Sequence, residues 1–303
     1  MNLTHDAMLV SLRITAWSGR LHDRQASTHV AVHHEASTAA GRYNKCLLPR
    51  TAFAAINSTM SAARTAHYAQ SLPWDDQGSR LLPVANYERY TELMDGLRER
   101  MVRERARFIE DYEDNIDKAR LDLGKLFRIA EYPSREDLRG KFGLRYRIIP
   151  VPDADHFMAK LASDDTDRVK RDIESQIEER LHDAVGDLYR RLGEAVERVS
   201  ERLREDDEGK PLVFRDSMIG NIRDLVDVVP RLNIFGDDAL AQLCSQVKDR
   251  IAAVEPDALR PSKTFDPAAR ASVKREADAL KERFAGYFAP AATTPAEPTR
   301  EAP

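Results

Sequence analysis

VANYERYTELMDGLRERMVRERARFIEDYEDNIDKARLDLGKLF, residues 84–127, repeats an apolar residue at every third or fourth position along most of its length. Tyr87, Tyr90, Met94, Leu97 and Met101 open the series, and Phe108, Tyr112, Ile116, Ala119, Leu123 and Leu126 continue it. That spacing puts them on one face of an α-helix, with a single weak layer near Glu104 and Arg105. A helix over these residues would run roughly 65 Å if straight. Its seam is narrow and its other faces are charged, which is the pattern of coiled-coil-like packing.

A second stripe of matching length follows over residues 165–204, from Val169, Ile173 and Ile177 through Leu188, Leu192 and Val196 to Leu203. The simplest way to bury two such stripes is against each other, as a long antiparallel helical hairpin. Between them, residues 132–152 contain Pro133, Gly140, Pro150 and Pro152, all breakers. Ser134 with Asp137 reads as the cap of a short helix. LRYRII (residues 144–149) alternates, predicting a strand with a buried face of Leu144, Tyr146 and Ile148 and a basic face of Arg145 and Arg147.

The flanks are shorter elements. Residues 1–70 read as a mixed part: a strand over 8–17, a polar helix, a short strand over 42–49, and an Ala/Ser-rich helix after Pro49. Residues 71–205 hold the hairpin. Residues 206–288 read as three helices, with Asp216 and Asp266 placed as N-caps and Asp237 as the start of the middle helix. Residues 289–303 form a Pro/Ala/Thr tail with nothing to bury, expected to be disordered. The expected fold is therefore α+β and predominantly helical, with a few short N-terminal strands, the hairpin and C-terminal helices.

Composition narrows the function classes. The formal charge is only −4, which by itself does not mark a nucleic-acid binder. Cys46 and Cys244 are far apart with no CxxC, so they read as reduced thiols. The N-terminus lacks a basic start followed by an apolar core, and no apolar run approaches a membrane span, so neither a signal peptide nor a membrane contact is expected. A cytoplasmic location in a bacterial host is expected. No phosphate loop, GxSxG or HExxH occurs, and no cofactor is implied.

Each candidate site in the sequence also has a plainer, structural reading. Trp74-Asp75-Asp76 could be a carboxylate pair for metal or acid–base work. Adjacent aspartates point in different directions, however, and the stretch reads better as a structural loop. There Trp74 is anchored in apolar surface and the aspartates accept backbone N–H bonds. His29 and His33 share a helix face at a spacing that suits zinc, but a third ligand is missing and Val30 stands where a metalloprotease has Glu. Asp153, Asp155 and His156 can cap a helix as readily as form a site. The run Arg98, Arg100, Arg103, Arg105 and Arg107 is interleaved with Glu99, Glu104 and Glu110, the pattern of a solvated, ion-paired face.

The N-terminal part is different. Residues 1–60 hold six Arg/Lys against three Asp/Glu. If the strand over 144–149 pairs with that over 8–17, Arg13, Arg20, Arg42, Lys45, Arg145 and Arg147 form a basic face beside Trp17 and Tyr43, suited to single-stranded DNA.

Four segments also carry a resemblance: LPWDDQGSRLLP, LGKLFRIAEYPSREDLRGKF, IIPVPDADHF and FRDSMIGNIRDLVDVVPRLNI, in that order. Together they resemble an uncharacterised family of phages and integrative elements, known only as a domain of unknown function, over roughly residues 8–254. The family's segment after PVP tends to end Asp-Phe-Arg, whereas this chain has Asp155-His156-Phe157-Met158. The resemblance implies a place in DNA recombination. It also implies partners of the MoxR-type AAA ATPase and von Willebrand A (cobaltochelatase-like) kinds, and it brings no catalytic residues. The expected function is thus a non-enzymatic, homo-oligomeric protein of mobile-element DNA metabolism, a scaffold or client of a AAA ATPase. The alternatives are a single-stranded DNA-binding or annealing protein, and a metal-dependent enzyme using His29/His33 or Asp75/Asp76.

Overall fold

The structure is a computed structural model that describes residues 3–151, 163–260 and 264–288. The chain divides into two compact units, Asn2–Lys160 and Leu161–Pro303. Asp153, Asp155, His156 and the 289–303 tail lie outside the described residues.

The N-terminal unit begins with a helical turn α1 (Leu3–Asp6) and strand β1 (Ala7–Thr15). An excursion follows: β2 (Arg20–His22), α2 (Arg24–His33) and β3 (Asn44–Cys46), with β2 and β3 forming their own two-stranded sheet. Gly19 leads into it at φ +61, where a Cβ would stand 2.4 Å from the Phe53 ring, so only glycine fits. Next come α3 (Ala54–Ala69), β4 (Leu72–Pro73), β5 (Ser79–Pro83), α4 (Tyr87–Glu110), α5 (Tyr112–Leu123), α6 (Arg135–Lys141) and β6 (Gly143–Pro150). The main sheet has the order β4-β5-β1-β6, with every pairing antiparallel.

Period-2 alternation explains β1 and β6. Val10, Leu12 and Ile14 face the same way as Leu144, Tyr146 and Ile148, and all join or abut one core with Tyr90, Met94, Met101 and Phe108 of α4. The Ala/Ser face of α3 lets α4 lie alongside it, burying Ile56, Met60 and Ala63. Each fully buried apolar side chain contributes about 1.5–3 kcal/mol.

The long periodic segment is two helices rather than one. They meet at Asp111, whose carbonyl accepts both the backbone and the side-chain amide of Asn115, at 3.1 and 2.9 Å. Gly124 ends α5 at φ +48. Ser134 and Asp137 form a reciprocal capping box on α6.

The C-terminal unit contains α7 (Ser163–Arg202), α8 (Asp216–Leu232), α9 (Asp238–Val247) running into a π-helical turn at Lys248–Ala252, the short α10 (Pro256–Leu259), and α11 (Pro267–Phe288). The Leu188, Leu192, Val196 and Val199 stripe of α7 is buried, as is Leu203 just past its end, while Ile173, Ile177 and Leu181 are only half-buried. That helix packs on α11 and α8. The cap of α8 is Arg215, not Asp216, and the helix continues through Pro230 to Leu232. Asp237 caps α9 and Asp266 caps α11, as their positions require.

These contacts correct the expected hairpin and the boundaries drawn from it. The α4 stripe is covered by α3 and β6, and the α7 stripe by α11 and α8, so each is filled inside its own unit. Nor is the N-terminal part separate: β1 pairs with residues 143–150, joining it to the far end of the unit.

Candidate nucleic-acid interface

Strand register decides where the basic side chains meet. The antiparallel pairing of β1 with β6 sets Arg13 directly opposite Arg145, and Ser11 opposite Arg147. Directly opposed side chains on neighbouring strands have Cβ atoms about 4.5–5.5 Å apart, and like charges there repel. Arg13 and Arg145 are both exposed, and both line a cleft of about 700 Å³.

The other walls of the cleft come from helices. Arg98 and Arg105 belong to α4 and Arg139 to α6, so five arginines line one recess, with no carboxylate among its described lining residues. Arg98 pairs with Asp95 at 3.2 Å, and Asp95 also accepts the Tyr146 hydroxyl at 2.9 Å. Burial, reinforced by that bond to Asp95, raises the Tyr146 phenol to about 12. Arg105 donates to the carbonyls of Arg139 at 2.9 Å and Phe142 at 3.3 Å, tying α4 to the α6–β6 junction. Arg13, Arg139 and Arg145 have no ion-pair partner among the described residues. Such a site concentrates positive potential and suits phosphate oxygens, which guanidinium forks match in geometry.

Only part of the sequence-predicted set gathers here. Arg147 is exposed on the same face of β6, two residues beyond Arg145, but does not line the cleft. Arg20 and Arg42 are exposed on and beside the β2–β3 ribbon, outside the cleft. Lys45 corrects the prediction. Its ammonium is fully enclosed, 2.8 Å from Asp23 and 2.7 Å from Glu131, and donates to the Leu126 carbonyl at 2.9 Å. It fastens the excursion to the loop after α5 and cannot present itself to a ligand. Trp17 is likewise engaged, packed edge-on against Phe53 and Tyr112.

Arg98 and Arg105 belong to the run read as a solvated, ion-paired face, and Arg139 is not among the residues singled out from the sequence. The signal lay in the spacing Arg98, Met101, Val102, Arg105, which is one helical face (i, i+3, i+4, i+7) and lines the cleft. Neighbouring Arg103 and Arg107 do sit beside Glu99 and Glu104, at 3.9 and 3.6 Å.

The Trp74 stretch is a small hairpin between β4 and β5. Trp74 is buried. Asp75 accepts the N–H groups of Gln77 and Ser79, both at 2.9 Å, and Asp76 is exposed. His29 and His33 lie exposed on α2, and no group of three metal-ligating side chains occurs among the described residues. No helix among them is long and apolar enough to cross a membrane.

No family model, curated protein or solved structure matches the chain. The family resemblance therefore rests on the four quoted segments alone.

Proposed function

We propose that this protein binds single-stranded nucleic acid through the arginine cleft of its N-terminal unit. One observation carries the reading: five arginines line a recess of about 700 Å³ whose described lining holds no carboxylate. Folding alone does not favour Arg13 opposite Arg145, because like charges across a strand pair destabilise a sheet. A phosphate between them relieves that repulsion. A duplex carries its phosphates on a wide convex rod, whereas a single strand is flexible enough to follow a basic recess. The scaffold reading draws on the long amphipathic helices, whose stripes are filled inside their own units, and its DNA and AAA-ATPase links draw on the resemblance alone.

The test is Arg13→Gln/Arg145→Gln, titrated with a labelled single-stranded oligonucleotide over a range of salt concentrations. Each phosphate contact on a single strand contributes about −0.7 to the slope of log K against log salt, so losing two should flatten it by about 1.4. Thermal melting should stay at or slightly above wild type, since both side chains are exposed and repel each other. An unchanged affinity and slope would defeat the proposal.

A further inference from the structure

We infer that the cleft receives the phosphomonoester end of a single strand, with the adjoining phosphodiester held at Arg147. This rests on the reading of the cleft as a nucleic-acid site and goes further, to the chemical group that fills it.

The arrangement of charge separates an end from the middle of a strand. A groove that tracks a backbone lays its cations out in a line. Here the lining arginines come from four elements: Arg13 from β1, Arg145 from β6, Arg139 from α6, and Arg98 and Arg105 from α4. Of the basic residues on and beside the β2–β3 ribbon, Lys45 is buried in its own ion pairs and Arg20 and Arg42 do not line the cleft.

The charge count points the same way. Arg13, Arg139 and Arg145 lack ion-pair partners among the described residues. An internal phosphodiester brings one negative charge and two free oxygens. A terminal phosphomonoester brings about −1.5 to −2 near neutral pH and three acceptor oxygens. Three unpaired guanidinium forks match the second group and exceed the first.

The remaining two arginines are already fixed. Arg105 is held on two carbonyls and Arg98 on Asp95, which is itself fixed by Tyr146. These bonds make the α4 wall preorganised, and the Arg105 tie joins that wall to the α6–β6 junction. The way out runs along β6. Arg147 lies on the same face as Arg145, about 7 Å further along the strand, in position for the next phosphate.

Gly140 and Gly143 also line the recess, and neither has an atom near where a Cβ would be, so the backbone there leaves room.

The same chemistry exists on a free mononucleotide, and the experiment separates the sources. Full-length protein is saturated with a labelled, 5′-phosphorylated thymidine oligonucleotide. It is then competed with unlabelled strands of equal length bearing a 5′-phosphate, a 3′-phosphate, hydroxyls at both ends, or no ends (circularised), and with thymidine monophosphate. A strand with at least one kind of phosphorylated end should compete about tenfold better than the hydroxyl-ended and circular strands. Arg139→Gln should remove most of that preference, while Arg20→Gln, outside the cleft, leaves it intact.

If circular, hydroxyl-ended and phosphorylated strands compete equally, the end inference fails and strand binding stands. If thymidine monophosphate competes as well as the phosphorylated strand, the site is for a free nucleotide and the inference fails. If no strand binds at all, the nucleic-acid reading fails with it.

Discussion

Lys45→Met keeps most of the side chain's stem and removes its charge. In the folded protein that charge is enclosed: the side-chain exposure of Lys45 is 0%. Burial opposes the ammonium, but hydrogen bonds and charge from Asp23 and Glu131 outweigh it, and the lysine's pKa is raised. Removing the cation leaves two carboxylates facing each other's field and the Leu126 carbonyl without its donor. Breaking a buried ion pair by deleting one partner typically costs about 3–5 kcal/mol. For a unit of this size each kcal/mol moves the midpoint by about 2–4 °C, so the N-terminal unit should melt roughly 6–20 °C lower at neutral pH.

The pH dependence adds a second signature. The folded pKa of Lys45 lies above its unfolded value, so its stabilisation is fully present below the unfolded pKa and is lost as pH rises through the folded one. Asp23 has the opposite sign. The Ala26 N–H bond and then Lys45 lower its pKa, so its contribution is present at neutral pH and lost as pH falls through the folded value. The gap between wild type and Lys45→Met should therefore be widest near neutrality and close toward both extremes. Circular dichroism melts at several pH values measure this. A wild-type midpoint at pH 7 would refute the enclosed triad. Well below its melting point the variant should bind single-stranded DNA as wild type does; a loss matching that of Arg13→Gln/Arg145→Gln would return Lys45 to the interface.

His67 gives a separate pH effect. It contacts the Tyr90 hydroxyl at 2.9 Å, and burial followed by the Arg80 charge lowers its pKa to about 4. Its folded pKa lies below the unfolded 6.5, so stability is full above 6.5 and falls by roughly 3 kcal/mol as pH drops toward 4. Urea midpoints across that window should fall in wild type and fall less in His67→Gln; parallel curves would remove His67 as the cause. Trp74→Ala should cost about 3–5 kcal/mol because the ring is buried, while Asp76→Asn should leave the melt unchanged. A stable Trp74→Ala protein would mean that the hairpin does not depend on its ring.

Which faces would be buried was legible from periodicity. Tyr90, Met94, Met101 and Phe108 are buried on α4, as steps of three and four require. Leu188, Leu192, Val196 and Val199 are buried on α7. What covers a face was not legible, because a stripe demands burial without naming a partner. Two stripes of matched length suggested each other; the fold instead places the Ala-rich α3 on one and α11 on the other. Close fit, invisible in a stripe, accompanies the second choice: a Cβ on Gly193 of α7 would lie 3.3 Å from Phe284 of α11. Strand β5 was missed for a related reason. Its run SRLLP does not alternate and ends in proline, because Leu81 and Leu82 on opposite faces are both fully buried.

The site divides along the same line. Local charge accounting works within a helix, where Glu99 and Glu104 stand within reach of Arg103 and Arg107. It fails for charges brought together by tertiary structure. Lys45 and Arg13 belong to the same basic stretch of sequence, yet one is enclosed by carboxylates and the other is not. The difference lies in where the carboxylates fall. Asp23 caps α2 through the Ala26 N–H, which fixes its second oxygen toward Lys45, and Glu131 arrives from 86 residues away. No carboxylate arrives opposite Arg13; the register delivers Arg145 instead. A one-residue slip would have turned Arg145 toward the core and Tyr146 outward, so the apolar face that fixes the register also fixes the clash of charges. The core thus stabilises an arrangement that the surface, considered alone, disfavours, and an anion bound in the cleft, as proposed, would relieve the repulsion that remains.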